Sequence, residues 1–405
     1  MKLMKSYLLR VILVTIGAIS PLGAQDSLNI RTVSIYNVTG SPRYLEVNDT
    51  LLHLINGNYV ILDISTPQNP VPVGNVPLSG VAQAVKVQGN YSYVITYYGD
   101  VYVYLIQNPS NPMEQGYYHL PQYAYDLFVD GNYIYTADGY GGMRILDAID
   151  MGNVVETGYF PTPEPCMGVY EENGIAYLAC GNSGVYIVSV ANPYSPYQIS
   201  HLDTPGFARK IHKQGNFLYV ADGEGGTMIV DVSTPANPNI VSTYPTLGWV
   251  YSVFPQDTLL FVAEYHLGIK VLNIKNPSNP VLTGYFSTPG YAYDIKAQEN
   301  LIYTALFNGY LGIYELYPLA IHEEAHNPKN VIMITNGDIL NLPGDALKDR
   351  STEFLIYNPS GQVLVKGLVD KAEHSIPLHG KEGIYFLELK SPTFRKIYRI
   401  LKIGK

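Results

Sequence analysis

Residues 108–112 read NPSNP, and the same pentapeptide returns at residues 276–280. The two copies are 168 residues apart, which is four times 42. Steps of 42 residues from Pro70 meet proline at five of six positions, namely Pro70, Pro112, Pro196, Pro238 and Pro280, with Val154 at the sixth. Proline fixes φ and has no amide hydrogen for a strand ladder. The pentapeptide therefore indicates a turn between strands that recurs because a larger unit recurs.

Two more columns of residues keep the same period without an insertion. One is aromatic: Tyr93, Tyr135, Tyr177, Tyr219, Phe261 and Tyr303. The other is aliphatic: Val85, Leu127, Val169, Ile211, Val253 and Ile295. A sequence period of 40–45 residues is typical of a β-propeller blade with four strands. The columns predict an all-β fold built from such blades.

The number of blades follows from the strand-like segments. Residues 122–160 contain four of them, QYAYDLFVD, YIYTAD, GMRILDA and VVETGYF, separated by turns. Counting from LLHLI at 51–55 gives seven units, of which the first is about two residues shorter. The last unit stops after its third strand at 311–317, whereas NIRTVSIY at 29–36 has no preceding partner. We predict that this N-terminal strand completes the seventh blade, because closing the ring leaves no edge exposed.

The ends of the chain and its charge divide it further. Lys2, Lys5 and Arg10 precede an apolar run at 11–19, which is typical of a secretory signal peptide and is too short to span a membrane. Residues 25–326 carry 10 Lys and Arg against 26 Asp and Glu, whereas residues 327–405 carry 12 against 8. We therefore predict a signal peptide at 1–24, a propeller at 25–318, a linker at 319–330 and a small β-sandwich-like domain at 331–405. The acidic propeller disfavours nucleic acid as a partner, and no later apolar run is long enough for a transmembrane segment.

The repeats resemble a known family. The segments YVILDIS (59–65), MIVDVSTPANP (228–238) and IKVLNIKNPSNP (269–280) resemble the LVIVD-repeat family of exported bacterial propellers, over roughly residues 30–317. The resemblance implies export and display at the cell surface. A Gly-His…Trp-Asp signature, which marks intracellular WD-type propellers, is missing from the sequence.

The C-terminal segment also resembles a known domain. Its strand, Gly-Gln turn, second strand and basic end look like the sorting domain of the bacterial type IX secretion system. The matching residues are Ile356, Tyr357, Asn358, Gly361, Gln362, Gly383, Ile384, Tyr385 and Phe386. The resemblance implies the outer-membrane secretion machinery as a partner, with secretion or surface display and removal of the tail. The alternative is an accessory β-sandwich that stays attached.

Candidate ligand-binding residues gather where the inner strands begin. Strands alternate in direction, so these positions line one mouth of the central channel. Two columns there supply the eight residues that we call the aromatic mouth: Tyr123, Tyr125, Phe207, Arg209, Trp249, Tyr251, Tyr291 and Tyr293. Aromatic rings with polar edges suit sugars and extended peptides, and Arg209 adds a fork for a carboxylate or sulfate. The alternative is that these rings only fill the gaps between blades.

Residues that suggest catalysis or metal binding are fewer. Asp138, Asp222, Glu264 and His266 project toward the same face, where carboxylates support glycoside hydrolysis or bind calcium. Asp-Gly is also ordinary turn chemistry. The string HEEAH at 322–326 matches the metalloprotease motif H-E-x-x-H, but prolines bracket it too closely for a stable helix. We assign no catalytic residue, metal or cofactor.

The two cysteines leave two interpretations open. Cys166 and Cys180 lie almost symmetrically about a predicted Asn-Gly turn at 173–174, so they can face each other across one hairpin. Export permits a disulfide bond, whereas two buried small apolar residues are the alternative.

The sequence as a whole predicts an exported binding module whose ligand is a polysaccharide or a surface protein. The first alternative is a polysaccharide hydrolase or lyase that uses the carboxylates. The second is a scaffold for other exported proteins.

Overall fold

The structure, a computed structural model, describes residues 27–316 and seven strands between residues 332 and 402. The predicted signal peptide and linker, with the string at 322–326, lie outside the described residues, as do Asn358, Gly361 and Gln362. Within the described ranges, no helix has both the length and the apolar character needed to cross a bilayer.

Seven antiparallel sheets of four or five strands follow one another along residues 27–316. Two strands, β1 (Ser27–Leu28) and β2 (Ile30–Asn37), precede the first blade. Blades one to three are β3 (Tyr44–Asn48), β4 (Leu51–Ile55), β5 (Tyr59–Asp63) and β6 (Val71–Val76); β7 (Ala82–Gln88), β8 (Tyr91–Thr96), β9 (Asp100–Leu105) and β10 (Met113–His119); and β11 (Asp126–Asp130), β12 (Tyr133–Ala137), β13 (Met143–Asp147) and β14 (Val155–Phe160). Blades four to seven are β15 (Gly168–Glu172), β16 (Ile175–Ala179), β17 (Val185–Ser189) and β18 (Tyr197–Leu202); β19 (Lys210–Gln214), β20 (Phe217–Ala221), β21 (Thr227–Asp231) and β22 (Asn239–Tyr244); β23 (Ser252–Gln256), β24 (Leu259–Ala263), β25 (Ile269–Asn273) and β26 (Val281–Phe286); and β27 (Ala292–Gln298), β28 (Leu301–Leu306) and β29 (Tyr310–Leu316). The prediction of a seven-bladed propeller is confirmed.

The N-terminal strand closes the ring as predicted. Strand β2 pairs with β29, so it is the fourth strand of blade seven. The ladder shifts register between Thr32 and Ser34, and the third and fourth strands of the other blades show the same irregularity. Strand β1 adds a fifth strand to blade six by pairing with β26. The N-terminal segment thus joins the last two blades as well as completing the ring.

The recurring Asn-Pro turns join the third and fourth strands of a blade and contact the blade before it. In both copies of the pentapeptide the turn has the same backbone hydrogen bond, from Asn111 N to Asn108 O and from Asn279 N to Asn276 O, each 3.0 Å. The carbonyl group of the first proline faces a glycine or serine in the fourth strand of the preceding blade. Ser242 Oγ donates to Pro277 O at 2.6 Å, and a methyl group added at Gly74 would collide with Pro109 O.

The junction of blade seven with blade one uses the same contact, because Ser34 Oγ in β2 donates to Pro67 O at 2.8 Å. At the junction of blades six and seven the small residue is Gly284, and Leu28 O faces it at 3.0 Å from the place of a Cβ atom. The N-terminal segment therefore takes the place of a turn there.

The aromatic column packs between blades. Its six members are all buried, with Phe261 completely so. Because the first unit is shorter, His53 takes the corresponding position in blade one. His53 is fully buried, and a hydrogen bond of 2.7 Å joins its Nδ1 to the Tyr59 hydroxyl.

The C-terminal strands form two sheets. Strands β30 (Ile332–Thr335), β36 (Arg395–Lys402), β35 (Gly383–Lys390), β32 (Thr352–Tyr357) and β33 (Val363–Val369) lie side by side in that order, and β31 (Ile339–Asn341) pairs with β34 (Ser375–Pro377). The predicted sorting residues Ile356, Tyr357 and Gly383–Phe386 lie on two paired strands, with Tyr357 opposite Phe386.

The closing strand gives a first prediction. Ile30 is buried among apolar residues of blades six and seven, whereas Ile35 in the same strand is exposed. We expect Ile30→Asp to lower the free energy of unfolding by about 3 kcal/mol or more, since it buries a charge and loses apolar contact. Ile35→Asp is the matched control and should change it by less than about 0.5 kcal/mol. Urea denaturation measures both, and equal effects would contradict the closure.

The buried histidine gives a second prediction. Burial lowers the pKa of His53 to about 4, although Glu46 opposes the shift. The unfolded chain, with an ordinary histidine pKa of about 6.5, binds more protons between these two values. The folded state therefore loses up to about 3 kcal/mol as the pH falls from about 6.5 to about 4. His53→Gln keeps a partner for Tyr59 but cannot titrate. The variant's free energy of unfolding should therefore fall below that of the unaltered protein by less at pH 5 than at pH 7.5, as measured in urea titrations.

Candidate functional site

The face that carries the candidate site is built from two kinds of connection. The loop between the second and third strands of one blade pairs with the start of the next inner strand. Backbone bridges at Gly139–Cys166, Gly181–Ala208, Gly223–Val250 and Tyr265–Ala292 make this contact in four successive pairs of blades. The contact brings residues from neighbouring blades side by side around the mouth of the channel.

One residue from each blade stands just before, or at the start of, its inner strand. These seven residues are Arg43, Gln83, Tyr125, Met167, Arg209, Tyr251 and Tyr293. Steps of 42 residues find the last six. They miss Arg43, because blade one is two residues shorter and Tyr44, not residue 42, aligns with Ala84. The mouth therefore has a second arginine that the period alone does not reveal.

Four of these seven residues, together with Phe307, form a continuous series of ring contacts. We call this series the aromatic arc; in order, it consists of Arg209, Tyr251, Tyr293, Phe307 and Arg43. The Arg209 guanidinium lies 4.3 Å from the centroid of the Tyr251 ring. The Tyr251 and Tyr293 centroids are 4.5 Å apart, and those of Tyr293 and Phe307 are 4.8 Å apart. Arg43 lies 5.2 Å from the Phe307 centroid. The arc spans blades five, six, seven and one, with a cation at each end.

Three more rings adjoin the arc. Trp249 lies 6.4 Å from Tyr251 and 6.0 Å from Phe207, between ring centroids. Tyr265 stacks on Tyr251 at 5.0 Å and on Tyr291 at 4.6 Å. Six of the eight predicted residues of the aromatic mouth thus contact one another directly or through Tyr265.

The two remaining predicted residues form a separate group in blades two and three. Tyr123 stacks on Tyr97 at 4.6 Å, and Tyr98 packs against both. Burial raises the pKa of Tyr125 to about 12, and a side-chain hydrogen bond to Tyr97 adds to the shift. The positive charge of Arg209 acts on the pKa of Tyr125 in the opposite direction. Because Tyr125 and Arg209 both stand directly before their inner strands, this group and the arc lie on the same face.

The column that holds Tyr97, Tyr265 and Phe307 was missed by the sequence analysis. Its members in blades three, four and five are Gly139, Gly181 and Gly223, which have φ values of 51°, 53° and 57°. Tyr265 has a φ of 37° at the same position, where a bulky side chain costs backbone energy. Because three members of the column are glycines, the sequence predicts only a tight loop there, and the aromatic residues of the other blades do not stand out as a column.

Exposure differs among the rings of the mouth. Tyr123, Trp249 and Tyr291 are 49%, 40% and 43% exposed. Tyr125, Phe207, Arg209, Tyr251 and Tyr293 are partly buried. Beside Trp249, Leu247 is 95% exposed. The mouth therefore presents rings that are held by neighbours on one side and open to solvent on the other.

Beneath the mouth, an ion pair crosses the channel. Lys210 Nζ donates to Asp126 Oδ1 at 2.8 Å, although these residues belong to blades five and three. The same ammonium group lies 4.7 Å from the ring centroid of Tyr44 in blade one. All three residues are buried. Side chains from three non-adjacent blades therefore fill the channel at this level.

A second charged group lies one pleat deeper. Lys86 and Lys296 place their ammonium groups 3.1 Å and 3.3 Å from Glu46 Oε2. Burial alone would raise the pKa of Glu46, but the two lysines outweigh it and hold the pKa at about 2. Burial and three neighbouring lysines keep the pKa of His212 well below its usual value. The interior of the channel is thus a filled, charged core.

The three candidate catalytic carboxylates, Asp138, Asp222 and Glu264, are fully buried, and each one has hydrogen-bond donors of its own. Arg144 Nε donates to Asp138 at 2.6 Å, and Lys270 Nζ donates to Glu264 at 2.7 Å. Thr204 Oγ1 and Gly206 N donate to Asp222 at 2.6 Å and 2.8 Å. Burial raises the pKa of Asp138 to about 6 despite Arg144. These side chains fix the loops between the second and third strands.

His266 is exposed and packs edge-on against Tyr265 at 5.9 Å. Across the described ranges, no three or more His, Cys, Asp or Glu side chains are placed to hold a metal ion. The structure therefore does not bring the four candidate catalytic residues into one site.

Cys166 and Cys180 are joined by a disulfide bond, so of the two interpretations the structure has the bonded one. Cys166 precedes β15 and Cys180 follows β16, where Gly168 and Ala179 pair. Cys180 occupies the position that Asp138 and Asp222 hold in blades three and five. In blade four the disulfide bond fixes the loop between the second and third strands, which hydrogen bonds to Asp138 and Asp222 fix in blades three and five.

A concave feature of about 580 Å³ lies far from the mouth, on blade six. It is lined by turn residues that include Asn273, Asn276 and Asn279. Asn273 Oδ1 already accepts from Lys275 N, and Asn276 Oδ1 accepts from Ser278 N. Its polar groups serve the turn, so the mouth is the better candidate for a ligand.

Comparisons with known proteins agree with this architecture. The model of the LVIVD repeat matches residues 55–77, 79–119, 121–162, 205–246 and 289–314. No curated protein shows significant similarity to the sequence. Among solved structures, the chain is similar to the computationally designed protein Ika8, with 10% identity and a TM-score of 0.54, covering 70% of this chain and 98% of that one. It is also similar to a chain in a crystal structure of the mitotic checkpoint complex, with 12% identity and a TM-score of 0.61, covering 78% of this chain and 100% of that one.

Both structural likenesses are at low identity and therefore show the fold alone. The LVIVD matches fall in blades one, two, three, five and seven, while residues 163–204 and 247–288 form two further blades of the same plan. The chain is a seven-bladed repeat β-propeller that carries LVIVD repeats.

Proposed function

We propose that the protein is an exported, non-enzymatic binding module that holds a carbohydrate at the aromatic mouth. The observation that carries the proposal is the aromatic arc with its adjoining rings, which are fixed by mutual contacts yet remain partly open to solvent. An array of fixed rings loses little conformational freedom on binding. A ring face gives apolar contact with the C–H face of a sugar, and tyrosine hydroxyls and the indole N–H bond to its hydroxyl groups.

The backbone of Tyr265 supports a role in binding. Three blades have glycine at this position, and the tyrosine keeps the same left-handed conformation at an energetic cost of about 1 kcal/mol or more. Its ring stacks on Tyr251 and Tyr291 and so joins the exposed ring to the arc. Strain that is kept in order to place one ring at a mouth is typical of a functional position.

The alternative of a hydrolase or lyase has less support. A glycosidase needs two carboxyl groups that reach one sugar from both sides. Asp138, Asp222 and Glu264 are buried in three different blades, and each already accepts a hydrogen bond from a nearby side chain. We therefore expect binding without turnover.

We also propose the route by which the protein leaves the cell. A signal peptide at 1–24 directs export, and the disulfide bond in blade four suits an oxidising compartment. Residues 331–405 then act as the sorting domain for the type IX machinery, which secretes the propeller or displays it on the cell surface. Tyr357 and Phe386 of the sorting motif are opposite each other on paired strands, which supports a folded domain in this segment.

A second candidate function is docking of another exported protein. Leu247 is 95% exposed in the connection between blades five and six, two residues before Trp249. An exposed apolar side chain beside an aromatic one is common at protein interfaces. Leu247→Asp should abolish docking of a protein but leave carbohydrate binding unchanged.

The proposed function is tested by removing exposed rings. We expect Trp249→Ala and Tyr291→Ala each to weaken binding to a polysaccharide by about tenfold or more, because each removes a preformed contact face. Binding is measured by affinity electrophoresis and calorimetry against a panel of polysaccharides, with product analysis for any depolymerisation. Thermal denaturation shows that each variant is folded.

Tyr194→Ala is the matched control, since Tyr194 is exposed on an Asn-Pro turn outside the mouth. It should bind like the unaltered protein. If folded Trp249 and Tyr291 variants keep full affinity, the rings only pack the blades and the proposal is wrong. Depolymerisation that Glu264→Gln abolishes would favour the enzyme instead.

A further inference from the structure

The distribution of charge at the mouth differs from that of the rest of the propeller. Residues 27–316 contain ten lysines and arginines and 23 aspartates and glutamates. Seven of the ten cations form ion pairs with a carboxylate. Within this part of the chain, the cations without a carboxylate partner are Arg43, Arg209 and Lys275. Lys275 is an exposed turn residue, whereas both arginines lie at the mouth.

The two arginines are held by rings instead of carboxylates. Arg209 lies over Tyr251 and Arg43 over Phe307, so each guanidinium contacts an aromatic face. Both side chains are partly buried, which limits their freedom before any ligand arrives. A guanidinium that stacks on a ring keeps its N–H donors free in its own plane. Such a group is prepared to bind a carboxylate through two parallel hydrogen bonds.

We propose that the mouth recognises polysaccharides that contain uronic acids, with Arg209 and Arg43 binding carboxylates at the two ends of the aromatic arc. This inference rests on the proposed function, because the rings of the arc must bind the sugar faces. The arc has three rings between two cations, and this order matches a polymer that offers both carboxylates and apolar faces along its length.

The charge of the whole propeller narrows the class of ligand. With 23 acidic against ten basic side chains, the propeller repels dense polyanions such as nucleic acids or heavily sulfated chains. This repulsion is screened beyond about 8 Å at physiological salt, whereas a direct contact with a guanidinium is not. A ligand with at most one carboxylate per sugar therefore fits better than a more highly charged one.

The rings favour a polysaccharide over an acidic peptide. Trp249, Tyr265 and Tyr291 adjoin the arc and present faces with no cation of their own. Flat apolar faces between charge-binding groups suit pyranose rings, while a run of acidic residues has no apolar face to offer them. An acidic peptide is nevertheless an outcome that the experiment must detect.

The test uses the full-length purified protein and calorimetry with hexasaccharides of galacturonate, mannuronate and guluronate. Methyl-esterified galacturonate has the same sugar skeleton without the charge, and cellohexaose is a neutral chain. Poly-L-glutamate of similar length represents an acidic peptide. We expect at least one uronate to bind about tenfold more tightly than the esterified chain. Arg209→Gln should remove this difference, Arg43→Gln should reduce it, and Arg209→Lys should restore part of it.

Lys275→Gln is the matched control, because it also removes an unpaired cation of the propeller, and it should leave the difference intact. Thermal denaturation checks the fold of every variant. Equal affinity for acid and ester, or a difference that survives Arg209→Gln, would overturn the inference and leave the proposed binding of sugars in place. Tighter binding of poly-L-glutamate than of any uronate would replace the polysaccharide with an acidic peptide. If no sugar binds, the inference and the proposed function both fail.

Discussion

The fold depends on one contact between neighbouring blades, in which a glycine or serine of a fourth strand receives the carbonyl group of the next blade's turn. Ser200 and Ser242 donate to Pro235 and Pro277, and Gly74 and Gly158 leave room for Pro109 and Pro193. A larger side chain would push the blades apart. Proline suits the turn because it fixes the direction of its own carbonyl group. The same contact recurs at Ser34, where the N-terminal strand joins the last blade to the first.

Because these contacts close the ring, the residues at the mouth can differ from blade to blade without disturbing the fold. The residues that pack between blades stay similar from unit to unit, as the aromatic column does with five tyrosines, Phe261 and His53, because a change there disturbs two blades at once. The residues at the start of the inner strands contact the core on one side only. They range from arginine to glutamine, methionine and tyrosine around the same circle. The chemistry of the mouth is therefore set by single positions, without any change to the scaffold.

The sequence predicts the scaffold better than the mouth, for physical reasons. A constant period identifies the blades, and the missing fourth strand of the last unit identifies Ile30–Asn37 as its partner. Arg43 is not predicted, because blade one is two residues shorter and its inner strand does not fall on the 42-residue period. Tyr265 is not predicted to be a site residue, because three blades have glycine at the equivalent position, which indicates a turn. Lys210 and Asp126 are 84 residues apart, so two steps of the period place them at equivalent positions of blades five and three. The period does not show that their side chains meet across the channel.

The filled channel determines what kind of ligand the mouth can take. Lys210, Asp126 and Tyr44 close the channel directly beneath the mouth, and Glu46 with its two lysines fills the next level. Removing one partner of such a buried pair is strongly destabilising, so these side chains are a fixed part of the core. A ligand therefore has access to the rim and not to the interior. Contact along a rim that spans several blades favours a long molecule that lies across the ring over a small one that enters a cavity. The aromatic arc, which extends over four blades, is suited to that kind of contact.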